Sequence, residues 1–261
     1  MTILDTIITR KREEVREAKK NQSIEQFADR ALFHRSCLRL DNTLLDPTKS
    51  GIIAEYKRAS PSQGLINGTA GVKETVSAYE AAGASAVSVL TDHQFFQGSL
   101  ADLSEARQAL NIPLLRKEFV IDSFQIAQAK AYGADIILLI TACLTATEIT
   151  DLSAYAQSLG LNVLLEVHNQ EELDVSPLTY IDAVGVNNRN LKDFTVSLDH
   201  SRSLIQQIPN QHLKISESGI SDPATIRELK SIGYQGFLIG ENFMKTADPG
   251  KAIHQFVEQI R

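Results

Sequence analysis

The chain has 261 residues, 43% hydrophobic and 22% charged, ordinary soluble globular usage that excludes a disordered tail or a fibre. Its 26 lysines and arginines against 32 aspartates and glutamates leave a formal charge of −6, the wrong sign for affinity resting on nucleic-acid phosphates. The N-terminal residues carry an early acid and no cleavable apolar stretch, and the longest apolar run, Ile136 to Ile140, is far too short to span a bilayer. No nucleic-acid or membrane partner and a cytoplasmic location are expected.

The first segment predicts a helix. Ile3, Leu4, Ile7, Ile8, Val15 and Ala18 fall on one face, while Arg10 to Glu14, Arg16, Glu17, Lys19 and Lys20 form a solvated one. The capping-box pattern Ser23-Ile24-Glu25-Gln26 predicts a second helix from Ser23, with Ile24, Phe27, Ala28, Ala31 and Leu32 continuing a stripe. From Gly51 the pattern changes to short β-branched or Leu-rich runs alternating with amphipathic stretches, as in βα units around a parallel sheet.

Strands are predicted at Ile52 to Lys57, Ala86 to Thr91, Leu114 to Phe119, Ile136 to Ile140, Val163 to Val167, Ala183 to Asn187, Leu213 to Glu217 and Phe237 to Gly240. Between them helices are predicted at Val72 to Ala82, Leu100 to Leu110, Ser123 to Tyr132, Ala146 to Leu159, Leu198 to Gln207 and Pro223 to Ile232, with a weaker one near Gln170 to Asp174. Gly83, Gly133, Gly160 and Gly233 sit where helix C-caps favour glycine. An open doubly wound sheet would show a GxGxxG or P-loop turn after the first strand, and neither is present. The fold expected is therefore α/β, a (β/α)8 TIM barrel: one domain over residues 1–261, of which 1–50 form an N-terminal helical extension. Cys37 and Cys143 share no CxxC or Cys/His spacing and are read as free, buried thiols, with no metal site.

In a closed barrel side chains alternate inward and outward, and catalytic groups come from the C-terminal strand ends and following loops. Parity puts Ile53, Glu55 and Lys57 on one face, and does the same for Leu115, Lys117 and Phe119, for Leu164 and Glu166, for Gly185, Asn187 and Arg189, and for Leu213, Ile215 and Glu217. Burying unpaired charge is expensive, so so many ionisable groups at strand ends point to a functional site. The alternative is that Glu55, Lys57, Lys117, Glu166 and Glu217 form a salt-bridge network that merely satisfies itself.

Ser218-Gly219 after the seventh strand and Gly240-Glu241-Asn242 after the eighth offer backbone N–H groups where many such barrels hold a phosphate. Arg189 adds a cation, whereas the Glu241 carboxylate has to turn outward and contribute only its amide. The polar loop Ala59 to Gly64 fits either a lid, with Gly64 as hinge, or a plain surface connection.

At these residues the sequence resembles the indole-3-glycerol phosphate synthase family over nearly its whole length. The segments that carry the resemblance are Ile53-Ala54-Glu55-Tyr56-Lys57-Arg58-Ala59-Ser60-Pro61-Ser62, Leu115-Arg116-Lys117-Glu118-Phe119, Leu165-Glu166-Val167-His168, Gly185-Val186-Asn187-Asn188-Arg189-Asn190-Leu191, Ser216-Glu217-Ser218-Gly219 and Leu238-Ile239-Gly240-Glu241, in the family's order. Ile3-Leu4-Asp5 and Lys11-Arg12-Glu13-Glu14-Val15 resemble its helical extension, which packs across the barrel and contributes to the substrate end. Glu118 and Tyr56 depart from the common residues and lie on the parity opposite the site, so neither is expected to touch the chemistry.

The resemblance implies a carboxy-lyase of tryptophan biosynthesis, without cofactor or metal, acting on a small anionic substrate that bears phosphate and carboxylate. That substrate, 1-(2-carboxyphenylamino)-1-deoxyribulose 5-phosphate, would lose carbon dioxide and water to give indole-3-glycerol phosphate. Lys117 would be the general acid in ring closure, Lys57 would hold an anionic group and assist loss of the hydroxyl, and Glu166 would move a proton in dehydration. Glu55 and Asn187 would orient these groups, with Glu217 and Ser218 completing the polar wall. Arg189, Gly219, Gly240 and the Glu241 amide would hold phosphate, with Ser60 and Lys57 as further candidates, and Phe96 and Phe119 would flank the aromatic ring unless they are simply core.

Two other classes stay open on the residues: a Schiff-base aldolase built on the lysine pair, and a non-catalytic phosphate-ligand binder. His34, His93, His168, His200, His212 and His254 show no metal-ligand pairing and are read as satisfied loop or surface residues, with only His168 near a strand end. The outer helices suit a monomer or a weak homodimer equally.

Overall fold

The structure, a computed structural model, describes residues 2–190 and 194–260. Eight parallel strands close on themselves: β1 (Ile52–Tyr56), β2 (Ala86–Leu90), β3 (Leu114–Lys117), β4 (Ile136–Ile140), β5 (Asn162–Val167), β6 (Ala183–Asn187), β7 (Leu213–Glu217) and β8 (Gly236–Ile239). Each is bonded to its neighbours in sequence, and β1 to β8, so no strand edge is left open. The predicted (β/α)8 barrel is present, and all eight predicted strands are in it.

The period of two along each strand decides the layering. Ile53, Ala86, Leu115, Ile136, Leu138, Leu164, Ala183, Ile215 and Leu238 fill the interior. Their alternates, among them Ile52, Ala54, Val87, Leu114, Ile137, Val163, Val184 and Phe237, pack outward against the helices.

The helices in chain order are α1 (Ile3–Asn21), α2 (Leu40–Leu44), α3 (Val72–Ala81), α4 (His93–Phe96), α5 (Leu100–Ala109), α6 (Ser123–Ala131), α7 (Ala146–Ser158), α8 (Gln170–Val175), α9 (Asp199–Leu204), α10 (Pro223–Ile232), α11 (Glu241–Met244) and α12 (Pro249–Ile260). Side-chain caps start most of them: Thr2, Asp92, Ser99, Asp122, Thr145, Asn169 and Asp222 each accept a backbone N–H of the first turn. Gly83, Gly133, Gly160 and Gly233 all take the left-handed backbone expected of helix-ending glycines.

Three expectations need correction. No α-helix starts at Ser23: two short 3-10 turns, Glu25–Phe27 and Ala31–His34, stand there. Only half of the capping box forms, with the Ser23 N–H donating to Gln26, and Phe27 is held by an edge-on contact with Phe124 of α6 rather than by its own helix. The helix expected over Leu198 to Gln207 is reduced to α9, whose N-cap leucine offers no side-chain acceptor. Cys37 and Cys143 are free thiols but half-buried rather than buried.

Residues 31–50 seal the N-terminal end of the barrel. Leu40 and Leu44 of α2 join the interior cluster from below, and buried Asn162 at the start of β5 accepts the Leu40 N–H and donates to the Leu38 carbonyl. Beside it Asp135, fully buried, receives Arg35 and Arg107 at 2.6 Å each and the backbone N–H groups of Leu38 and Leu114. Among the described residues no helix is long and apolar enough to cross a membrane.

Candidate active site

At the other end, where the C-terminal ends of the strands emerge, lies a cavity of about 430 Å³. Its wall includes Glu55, Lys57, Ser60, Phe96, Lys117, Phe119, Glu166, Asn187, Arg189, Glu217, Ser218, Gly219, Gly240 and Glu241. The structure thus brings every candidate site residue of the sequence to one chamber. Leu191, part of the resemblance, lies outside the described residues.

Inward parity at the last position of β3 carries Lys117 into the middle of the chamber. Its Nζ lies 3.0 Å from Glu166 Oε2 at the end of β5 and 2.7 Å from Glu217 Oε2 at the end of β7. Asn187, ending β6, donates to Glu166 Oε1 at 2.9 Å and accepts the Arg189 N–H. Across the chamber Lys57 pairs with Glu55 at 2.7 Å. The self-satisfying network is therefore realised only in part: three carboxylates share two lysines, and Glu217 Oε1 is buried with no hydrogen-bond partner among the described residues.

Two glutamates around one ammonium are driven apart in proton affinity. Burial raises both. For Glu166 that effect is outweighed by Lys117, His168 and the Asn187 hydrogen bond, so its carboxyl titrates below the usual 4.5. For Glu217 burial dominates, Glu166 and Glu55 add repulsion, and it is pushed up to about 7 despite Lys117. Burial works against the charge of Lys117 too, but Glu166, Glu217 and Glu55 outweigh it and raise its proton affinity. The site thus holds an ammonium donor, an ionised carboxylate acceptor and a carboxyl able to carry a proton near neutrality, the separation of roles that acid–base chemistry needs.

The phosphate candidates lie along one rim. Ser218 and Gly219 both take positive φ, 69° and 75°, and successive backbone N–H groups in such turns form anion-binding concavities. A Cβ on Gly219 would run into Val196, and one on Gly240 into Glu55. Here the Glu241 expectation fails: its carboxylate lies 3.4 Å from the Arg189 guanidinium and lines the cavity instead of turning away. Ser60 belongs to a two-stranded ribbon, Ala59–Ser60 with Gly64–Leu65, so the loop after β1 is structured.

Phe96 and Phe119 face each other with ring centroids 6.1 Å apart, and neither is fully buried. Their supports were not legible in the charge run of α1. Lys11, read as part of a solvated face, is 4% exposed. It pairs with Asp92 at 2.9 Å and Glu118 at 3.0 Å, while Ile3, Leu4 and Ile7 of the same helix line the cavity. Asp92 caps α4, which carries Phe96, and Glu118 accepts the Phe119 N–H. Glu118 also lines the cavity, so its opposite parity does not remove it from the site; Tyr56 does point away, donating its hydroxyl to Ala70.

His168 was read as a satisfied loop or surface residue. It is 9% exposed and stands between two carboxylates, Glu166 Oε1 at 3.4 Å and Glu172 Oε2 at 3.1 Å. Its place directly after β5, one parity step beyond Glu166, is the signal that could have found it. Among the described residues no group of three or more His, Cys, Asp or Glu side chains is placed to hold a metal ion.

Fold and site define an enzyme of the (β/α)8-barrel class, with acid–base groups gathered at the C-terminal face beside Arg189 and the glycine turns at Gly219 and Gly240. The chain belongs to the indole-3-glycerol phosphate synthase family, whose model matches residues 4–256. It is 46% identical over 259 residues to an indole-3-glycerol phosphate synthase of Bacteroides thetaiotaomicron, covering 99% of both chains. It is 41% identical over 256 residues to one of a Polaromonas species, covering 97% of both. Among solved structures, an N-acetylmannosamine-6-phosphate 2-epimerase from Clostridium perfringens superposes with a TM-score of 0.57 at 14% identity, covering 76% of this chain and 90% of that one, a likeness of fold alone.

Proposed function

We propose that this chain converts 1-(2-carboxyphenylamino)-1-deoxyribulose 5-phosphate to indole-3-glycerol phosphate, carbon dioxide and water in tryptophan biosynthesis, as a cytoplasmic enzyme needing no cofactor. Family membership supports the reaction. The observation that carries the assignment of roles is the single ammonium of Lys117 held between two carboxylates of opposed proton affinity.

Lys117 donates to the ketone oxygen as the aromatic carbon attacks it, so negative charge developing on that oxygen meets a fixed cation. Carbon dioxide then leaves, and its bonding electrons restore the benzene ring. In dehydration the hydroxyl departs with a proton as water and ionised Glu166 accepts the proton lost from the new ring, so this step is proton-neutral. The turnover as a whole takes up one proton, the one that Lys117 gives the ketone oxygen while the carboxylate leaves as neutral carbon dioxide. Lys57 holds an anionic group and assists the departing hydroxyl, with Glu55 holding Lys57. Asn187 orients Glu166, and Glu217 with Ser218 completes the polar wall.

Arg189 and the backbone at Gly219, Gly240 and Glu241 hold the phosphate with Ser60, and Phe96 and Phe119 flank the anthranilate ring. Residues 1–50 form one folding unit with the barrel, a reading supported by the ties of Arg35, Leu38 and Leu40 to Asp135 and Asn162. The large exposed apolar side chains Leu45, Leu65, Val175, Tyr180 and Val196 are few, which supports a monomer or weak homodimer.

Fluorescence of indole-3-glycerol phosphate on mixing purified protein with the carboxyphenylamino substrate tests the reaction. Product is expected without added metal or cofactor, and none of the protein is expected to be trapped by borohydride during turnover. Absence of product sinks the assignment, and a borohydride-trapped adduct on Lys117 or Lys57 replaces it with Schiff-base chemistry.

A further inference from the structure

His168 is a buried titratable group beside Glu166, behind the chamber's lining, that the reaction above does not use. It sits on the turn from β5 into α8. Its backbone N–H donates to Glu172 Oε2 at 2.8 Å, and Nδ1 lies 3.1 Å from the same oxygen. Glu172 is fixed in turn through its own N–H, which donates to Asn169, the cap of α8. On the other side Nε2 faces Glu166 Oε1 at 3.4 Å and has no hydrogen-bond partner among the described residues.

A neutral imidazole has one N–H and one lone pair. Whichever nitrogen kept the lone pair would turn it on a carboxylate oxygen, opposing two acceptors in a buried place. Only the ring protonated on both nitrogens gives each oxygen a donor. We propose that His168 is a positioning residue for Glu166, carrying a proton on each ring nitrogen, donating one to Glu172 and holding its positive charge 3.4 Å from Glu166. The proposal rests on the reading of Glu166 as the proton acceptor of dehydration. With the hydrogen bonds from Lys117 and Asn187, the charge of the ring keeps that carboxylate ionised and fixes its orientation until substrate delivers a proton.

The charged groups acting on the ring agree with this. Burial opposes its charge, but the Glu172 hydrogen bond and the fields of Glu166, Glu172 and Glu217 outweigh burial and raise its titration above 6.5. Lys117 stands behind Glu166 and Glu217 and answers their charge, not that of Glu172. Cys143 lies within the fields of Glu166, Glu172 and Arg12, and burial with the two carboxylates pushes its thiol up to about 12, so it brings no charge to the ring at neutral pH.

Ring-15N-histidine labelling of the full chain, with His168 assigned by His168→Asn, reads the proposal directly. The expected spectrum at pH 7 is that of a doubly protonated ring with a midpoint above 6.5, lowered by Glu172→Gln and again by Glu166→Gln. A ring carrying a single proton at pH 7, or a midpoint that neither variant moves, overturns the proposal, because a histidine that only fills space there feels burial alone. In turnover, His168→Phe is expected to lower kcat about tenfold while KM stays within about twofold. An unchanged kcat also overturns it. Full indole formation by Glu166→Gln would instead remove the role of Glu166, whatever His168 does.

Discussion

The two ends of this barrel each bury a cluster of charges, and they are finished differently. Below, the Asp135 carboxylate has two guanidinium partners and two backbone N–H donors, and Arg107 also donates to the carbonyls of Leu110 and Ile112, leaving Arg35 Nε as the buried group there without a hydrogen bond among the described residues. Above, three carboxylates divide two lysines, Glu217 keeps an oxygen without a hydrogen bond, and the groups open on a cavity instead of on backbone. A buried charge that is fully answered holds the chain together; one left partly unanswered has capacity for a ligand. Burial and charge alone do not separate structural from functional clusters, whereas what the carboxylates face, backbone donors below and an open cavity above, does.

The largest test of that contrast exchanges the two ends. Lys117→Met is expected to lower kcat by about 10³, with folding retained, because the two carboxylates it leaves behind border a wet cavity and can take up protons. Arg107→Met should do the reverse. Leaving Asp135 short of a partner in a dry place is expected to cost about 3 to 5 kcal/mol in urea unfolding, while kcat of the folded fraction stays near that of the parent. Equal effects of both variants on stability and kcat would erase the distinction.

A smaller effect sharpens the description of the upper cluster. Glu217 titrates at about 7 in the folded chain against 4.5 for a free side chain. The native state therefore binds the extra proton between those values, and this group's contribution to stability is full below about pH 4.5 and lost as pH rises through about 7. Unfolding free energy measured across that window should fall with rising pH in the parent by more than in Glu217→Gln. Identical slopes would place Glu217 among the ordinary paired carboxylates.

The smallest expected change lies on the rim. Glu241 occupies Arg189 from a position about one-third exposed, where such a pair contributes less than about 1 kcal/mol. Glu241→Gln should lower KM for the phosphorylated substrate by up to about fivefold and tighten inhibition by inorganic phosphate in step. A raised KM would mean that the carboxylate helps to build the rim.

Strands and parity were legible in the sequence because alternation with a period of two is a local property, and closure of the barrel turns it directly into inside and outside. Glu55, Lys117, Glu166 and Glu217 were found on that basis alone. Lys11 was not, since a lysine inside a run of charges on an amphipathic helix looks solvated unless one knows that Asp92 and Glu118 come to meet it. The same holds for His168, whose partners Glu166 and Glu172 lie close in sequence but converge only through the turn into α8. Glu241 was judged by the ligand expected beside it and not by Arg189, the neighbour it has. The Ser23 segment shows the opposite limit: a local signal for a helix start was present, but burying Phe27 against α6 decides the conformation of those residues.

The seat of Lys11 separates completion of the chamber from formation of the barrel. Its partners lie in the loops that follow β2 and β3, far along the chain, so the contact closes a long stretch of polypeptide and is entropically costly before those loops exist. The wall supplied by Ile3, Leu4 and Ile7 therefore hangs on contacts outside the strand ladder, whose own closing pair, β1 with β8, spans a still longer stretch of chain. No strand pairing involves α1, so a barrel with its sheet complete can still lack one side of the chamber.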